Sequence, residues 1–88
     1  MKLPIVIISY KSITVLDQCL SNLGNDREIF IIENSDYFEL KEKIEKKFKN
    51  CKVIINEKNY GYGKAANIGF QQLNSKYAFI LEPDIIIS

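Results

Sequence analysis

Four short apolar runs alternate along this chain with three stretches whose apolar residues recur every three or four positions, and that alternation constrains the fold more than any other feature. Ile5, Val6, Ile7 and Ile8 are consecutively apolar and β-branched, the pattern of a strand covered on both faces, as in a parallel sheet. Ser9 and Tyr10 end it. Ile13, Leu16, Leu20 and Leu23 then recur at helical spacing after a candidate cap at Ser12, and Gly24 is placed to stop the helix in a left-handed conformation. Ile29 to Ile32 read as a second buried strand, closed by the polar run Glu33, Asn34, Ser35 and Asp36.

Leu40, Ile44 and Phe48 lie four apart and predict a second helix. Glu39 with Lys43, Glu42 with Lys46 and Glu45 with Lys49 are surface pairs in the favourable orientation. The interleaved glutamates cancel the field of the lysines, so this run is a solvated helix face rather than a polyanion site. Val53 to Ile55 form a third strand. Asn59 to Lys64 make a glycine-containing loop, and Ala66, Gly69, Phe70 and Leu73 give a third helix its apolar stripe. Tyr77 to Leu81 make a fourth strand, ended by Glu82, Pro83 and Asp84. Strand and helix in this alternation call for an α/β fold, a parallel sheet of about four strands with right-handed crossovers and helices on both faces. If the strands take the nucleotide-binding order 3-2-1-4, the direction of winding reverses between the first and fourth. Tyr10 and Asp84 then flank one crevice at the carboxyl ends of neighbouring strands.

With 88 residues the chain makes a single domain, residues 1–88, whose core is thin: a domain this size buries only about 60% of the surface its extended chain exposes. Twelve Lys and Arg against eleven Asp and Glu leave a formal charge of +1, without the broad positive field that non-specific nucleic-acid binding needs. The absence of His removes the commonest general base and any imidazole ligand, and leaves carboxylates for proton or cation work. Cys19 and Cys51 lack a C-x-x-C spacing and suit packed, reduced thiols within a cell. The apolar run at the N-terminus is too short for a signal peptide or a membrane span, which points to a cytoplasmic protein.

Four constellations carry chemistry. Asn59 to Gly69 places Gly61 and Gly63 before a helix and Gly69 within it. Gly61 and Gly63 let the backbone take positive φ and approach a ligand, Gly69 lets the helix lie against the sheet or against a sugar, and Asn67 projects an amide from the same helix. The same residues also suit a plain strand-to-helix turn. Glu82 and Asp84, at the end of a buried strand, can hold a hard divalent cation such as Mg²⁺ or Mn²⁺, or simply form a turn at Pro83. Glu33 can meet a nucleoside edge or cap a helix, and Asp36 is well placed to cap the lysine-rich one. Tyr10 can stack on a base or pack.

Together these features resemble glycosyltransferase family 2, whose nucleotide-sugar-binding fold is called GT-A, and the resemblance covers nearly the whole chain. Ser9, Tyr10 and Lys11 match its polar-Tyr-Asn turn, with Lys where Asn is common. Glu33, Asn34 and Ser35 match its acidic-Asn-x-Ser stretch, where Asp is more usual at the first position. Asn59, Gly61, Gly63, Asn67 and Gly69 complete its Asn-x-Gly-x-Gly-x-x-x-Asn-x-Gly segment. Glu82, Pro83 and Asp84 stand where its Asp-x-Asp motif is often Asn-Pro-Asp in the rhamnosyltransferase-like branch.

The resemblance implies a three-layer, Rossmann-like GT-A half-domain that binds a nucleotide-diphosphate sugar. Asp84 would hold Mg²⁺ or Mn²⁺ on the diphosphate, with Glu82 near the ribose or a metal water. Ser9, Tyr10 and Glu33 would contact the nucleoside, and Asn34, Asn59, Gly61, Gly63 and Asn67 complete the donor-site set. The acceptor, a glycan or a lipid-linked sugar, and the catalytic base would be met by a region following the metal motif, so the chain reads as truncated before its acceptor half, with weak or no turnover by itself. An exposed edge beside the fourth strand would invite dimerisation. Two other readings fit parts of the sequence. One is a dinucleotide-binding Rossmann unit, since Gly61, Gly63 and Ala66 satisfy G-x-G-x-x-A with Glu82 about 20 residues on. The other is a non-catalytic interaction module that keeps the fold.

Overall fold

A computed structural model describes residues 3–73 and 79–81 of the chain. Its elements run β1 (Ile5–Ser9), α1 (Ile13–Leu23), β2 (Ile29–Glu33), α2 (Phe38–Lys47), β3 (Cys51–Ile55), α3 (Tyr62–Gln71) and β4 (Phe79–Leu81). The strands form one parallel sheet in the order β3-β2-β1-β4, with three strands of five residues and a three-residue β4. That is the expected order. Register places Ile5 beside Ile29 and Ser9 beside Glu33, and Ile7 beside Leu81 on the other side of β1. Tyr77, where the fourth strand was expected to begin, lies outside the described residues.

The pleat divides the core in two. Ile5, Ile7, Ile29, Ile31, Cys51 and Val53 face α1 and α2, where they meet Leu16, Cys19, Leu20, Leu40 and Ile44. Val6, Phe30 and Ile32 face the opposite way and meet Ala65 of α3, with Ile68 and Leu73 packed alongside. The result is the expected three layers. The chain steps from β1 to β3 in one direction with its helices on one face, then crosses to β4 in the other direction with α3 on the other face. Reversing both together keeps every crossover in the same hand.

Helix ends differ from the sequence reading in instructive ways. Ser12 occupies the N-cap position of α1, but its hydroxyl turns back to donate to the Tyr10 carbonyl at 2.7 Å and caps nothing. Gly24 ends α1 at φ 81° and ψ −167°, a positive φ as expected, though extended in ψ. Asp36 does not cap α2 with its side chain; Tyr37 is the N-cap residue, and its N–H donates to the Ser35 hydroxyl at 3.1 Å. On α3, Phe70 faces solvent at 40% exposure instead of joining the apolar stripe, in which Ala65, Ala66 and Gly69 are buried and against which Ile68 and, just past the helix, Leu73 pack.

Two α2 side chains guard the outer edge of β3. The Val53 N–H donates to Glu45 Oε2 at 2.7 Å, and the Val53 carbonyl accepts from Lys41 Nζ at 2.8 Å. Lys41 and Glu45 also pair with each other at 2.8 Å. Glu45 therefore pairs with Lys41, not with Lys49 as its spacing suggested. Because Lys precedes Glu here, the pair has the weaker orientation on an isolated helix, and the strand backbone supplies the reason for it. Burial pushes the Glu45 carboxyl up, yet the hydrogen bonds from Lys41 and Val53 outweigh that and hold it below its usual range.

Candidate functional site

The carboxyl ends of β1 and β2 converge on one buried carboxyl group. Glu33 is the last residue of β2, its neighbour in register is Ser9, and it is 0% exposed. Its Oε1 accepts from the Ser9 hydroxyl at 2.7 Å, while Oε2 accepts from the Lys11 N–H at 2.9 Å and from the Ser35 hydroxyl. A carboxyl group in the interior requires such donors, because it has left water and, among the described residues, forms no ion pair. The donors come from both strand exits, so Glu33 ties the Ser9–Lys11 turn to the start of the loop after β2. Lys11 sits at φ 50°, in the left-handed region that residues with a Cβ seldom occupy.

One residue further on, Asn34 organises the loop that leads into α3. Its Nδ2 donates to Asn59 Oδ1 at 2.9 Å and to the Gly61 carbonyl at 3.4 Å, and its Oδ1 accepts from Asn56 Nδ2 and from the Tyr60 N–H, each at 3.0 Å. All the hydrogen-bonding capacity of the amide is engaged. Asn59 Oδ1 also accepts the Gly61 N–H at 2.8 Å, a side-chain turn that sets up the helix start. The Asn56 N–H donates to the Glu33 carbonyl and the Glu57 N–H to the Ser35 carbonyl, each at 2.9 Å, so the loop continues the parallel ladder past β3.

The glycines divide by task. Gly61 is the N-cap residue of α3 at φ 85° and ψ 163°, which a residue with a Cβ resists. Gly63 does not take the positive φ expected of it; α3 begins at Tyr62, so residues 62–64 are helix rather than loop, and a Cβ on Gly63 would meet nothing within 4 Å. Gly69 packs on the sheet, since a Cβ there would stand 2.5 Å from Val6 Cγ1 and 3.3 Å from Ile32 Cγ1. Asn67 is exposed on α3.

The rim above these buried groups is aromatic and cationic. Tyr10 is 52% exposed with Lys11 Nζ 5.6 Å from its ring centroid, and the Tyr60 ring has Lys58 Nζ at 5.1 Å and Lys64 Nζ at 4.5 Å. A cleft of about 430 Å³ beside the Tyr10 turn is lined by Lys11, Asp36, Tyr37, Phe38 and Glu39. A larger hollow of about 840 Å³, which Glu28, Lys49 and Asn50 help to line, opens at the amino ends of the strands, away from this site. Ligands of open parallel sheets bind at the carboxyl ends, the end at which the smaller cleft opens and the larger hollow does not. Among the described residues no three His, Cys, Asp or Glu side chains gather to hold a metal, and both Glu33 oxygens are already engaged. Glu82 and Asp84, the residues expected at a cation, lie outside the described residues.

The family model of glycosyl transferase family 2 matches residues 5–88 of this sequence. The chain belongs to that family. Transfer of a glycosyl group is the activity that goes with membership, and no curated protein matches the chain closely enough to narrow it. In this transferase the Ser9–Lys11 and Glu33–Ser35 motifs, 24 residues apart, are brought into direct contact, and the Asn59–Gly69 motif joins them through Asn34. Between β3 and α3 stand residues 56–61, and Gly63 lies within the helix, so the glycines do not form the tight turn straight off a strand that a dinucleotide fingerprint requires. Sequence reasoning missed Asn56, whose amide reaches Asn34. Its position directly after a strand, like that of Asn34 after β2, was the available signal. No helix of the described residues is long and apolar enough to cross a membrane.

Proposed function

We propose that this glycosyltransferase domain binds a nucleotide-diphosphate sugar through a divalent cation, Mg²⁺ or Mn²⁺, for transfer of the sugar to an acceptor hydroxyl on a glycan or lipid-linked acceptor. The observation that carries this reading is the pairing of β1 with β4 in a β3-β2-β1-β4 sheet. The winding direction reverses between those strands, and a crevice at such a reversal is where open α/β sheets receive nucleotides. On one side stands the Ser9–Lys11 turn with its exposed Tyr10 ring, suited to a base or ribose face. On the other, the sequence runs from Leu81 directly into Glu82, Pro83 and Asp84.

Within this reading Asp84 holds the cation, and Glu82 lies near the ribose or a metal-bound water. The Pro between these carboxylates supports the rhamnosyltransferase-like branch. The cation's chemistry is to neutralise the departing diphosphate. Gly63, with open space over its Cα, and Asn67, exposed on the next turn of α3, present backbone and amide to the sugar-diphosphate side. Asn34, Asn59 and Gly61 serve the donor by shaping the loop beneath it. The base that takes the acceptor proton is not assigned to a residue of this sequence.

Titration of the chain with UDP-sugars and dTDP-sugars, with and without Mn²⁺, tests the proposal. Binding that requires the cation and is lost in Asp84→Ala is the expected result. Binding indifferent to the cation, or none to either donor class, overturns it.

A further inference from the structure

We infer that Glu33 is a positioning residue and not a nucleoside ligand: it holds Lys11 in the left-handed conformation and so fixes the Tyr10 ring at the rim of the donor crevice. The inference rests on the donor-binding reading above for the identity of the ligand, though not for the geometry of the turn. A group that reads a base must offer the ligand a reachable oxygen. Glu33 is 0% exposed, and both of its oxygens already accept from Ser9, Lys11 and Ser35.

What those contacts restrain is specific. Lys11 at φ 50° carries the steric cost of a Cβ in the left-handed region, and its N–H is the one that Glu33 Oε2 accepts at 2.9 Å. On the other side of the same peptide, the Tyr10 carbonyl accepts from the Ser12 hydroxyl at 2.7 Å. The peptide joining Tyr10 to Lys11 is therefore clamped at both its oxygen and its nitrogen, while the ring of Tyr10 and the ammonium of Lys11 stay out in solvent. Glutamate, with one methylene more than aspartate, sends its carboxyl beyond the end of β2 to the exit of β1, where the turn needs an acceptor.

The test joins amide exchange to nucleotide titration on the ¹⁵N-labelled chain, with UDP, dTDP and GDP as probes in Mg²⁺. In the wild type the Lys11 amide is protected, and in Glu33→Gln, which offers one acceptor oxygen in place of two, it exchanges about tenfold faster. All three diphosphates then weaken by a common factor of about three to ten, because the turn is disturbed and no base contact is lost. Adding Tyr10→Ala to Glu33→Gln costs little more than Tyr10→Ala alone, since both changes act through the same ring. Should Glu33→Gln fail to fold, Ser9→Ala removes one donor to the same carboxyl group and shifts Lys11 exchange and binding in the same direction, by less. Loss for one base alone, with the others unchanged, overturns the inference, as does Lys11 exchange that is the same in wild type and variant. If the wild type binds none of the diphosphates, the donor reading falls, and Lys11 exchange alone then decides whether Glu33 holds the turn.

Discussion

Asn34 and Asn59, 25 residues apart in sequence, share a hydrogen bond of 2.9 Å from Nδ2 to Oδ1, and through it the exit of β2 dictates where α3 begins. Asn34→Ala leaves the Tyr60 N–H, the Asn56 amide and Asn59 Oδ1 without their buried partner. It should destabilise the domain by about 2 to 3 kcal/mol, and Asn59→Ala by about 1 to 2 kcal/mol. Urea midpoints check the totals, and faster amide exchange at Tyr60 and Gly61 locates the change.

Gly69 has no room for a methyl group. Gly69→Ala pushes a Cβ into Val6 Cγ1 at 2.5 Å, so α3 must rise off the sheet or Val6 must move, at a cost of about 1 to 3 kcal/mol. Adding Val6→Ala should recover part of that loss, and a double-mutant cycle by chemical denaturation measures the coupling. Strict additivity would mean that the two groups do not meet.

Gly61 and Gly63 should respond in opposite ways to the same substitution. Gly61→Ala strains a residue at φ 85° and lowers stability by about 1 kcal/mol or more, although nothing crowds its Cβ. Gly63→Ala sits in the first turn of a helix with open space around it and should stabilise by about 0.4 to 1 kcal/mol. If a donor's phosphates approach that backbone, Gly63→Ala weakens UDP-sugar binding even as the melting temperature rises.

Glu45 links stability to acid pH. Its carboxyl is held below the usual value of 4.5, so its contribution is fully present above that value and is lost as pH falls through the lower, folded-state value. Glu45→Gln should flatten the acid limb of the stability profile. Glu45→Ala also leaves the Val53 N–H and Lys41 without their partner, and sedimentation should then show self-association that rises with concentration and is absent from the wild type.

The cysteines act at the opposite end of the pH scale. Burial pushes the Cys19 thiol up to about 11, and burial together with the nearby Cys19 and Glu45 pushes Cys51 up to about 12. Folding therefore favours the neutral thiols: their contribution is complete below the ordinary value of 9 and disappears as pH rises through the folded-state values. Alkylation by iodoacetamide at pH 8 should track urea unfolding, with both thiols unreactive in the folded chain.

The layers of this fold were legible because strand burial and helical spacing are written in runs of residues. Where a single residue decides, the sequence was ambiguous. Lys52 interrupted the apolar run and hid the first two residues of β3, yet on an edge strand that side chain simply points to solvent. Tyr62 to Lys64 read as loop because Gly61 precedes them and Gly63 lies among them, whereas the Asn34–Asn59 contact starts the helix there. Ser12 and Asp36 have the chemistry of caps, and only the three-dimensional arrangement shows that the Ser12 hydroxyl turns back to Tyr10 and that Ser35 serves Tyr37.

At the site, the motifs named the right neighbourhood and left the division of labour open. Ser9, Glu33 and Asn34 were expected at a donor, and register brings Ser9 and Glu33 side by side. That the Glu33 carboxyl faces inward depends on donors from three separate positions, Ser9, Lys11 and Ser35, and no spacing rule encodes such a convergence.

The closed border at Val53 gives the sheet a direction of growth. Among the described residues β4 pairs only with β1, so a further strand can be accepted beside β4 but meets the side chains of Lys41 and Glu45 beside β3. The accepting flank is also the one that carries the winding reversal. Any polypeptide that lengthens this sheet therefore arrives next to the crevice proposed for the donor, and under that proposal enlarging the scaffold and walling in the sugar become a single step of assembly.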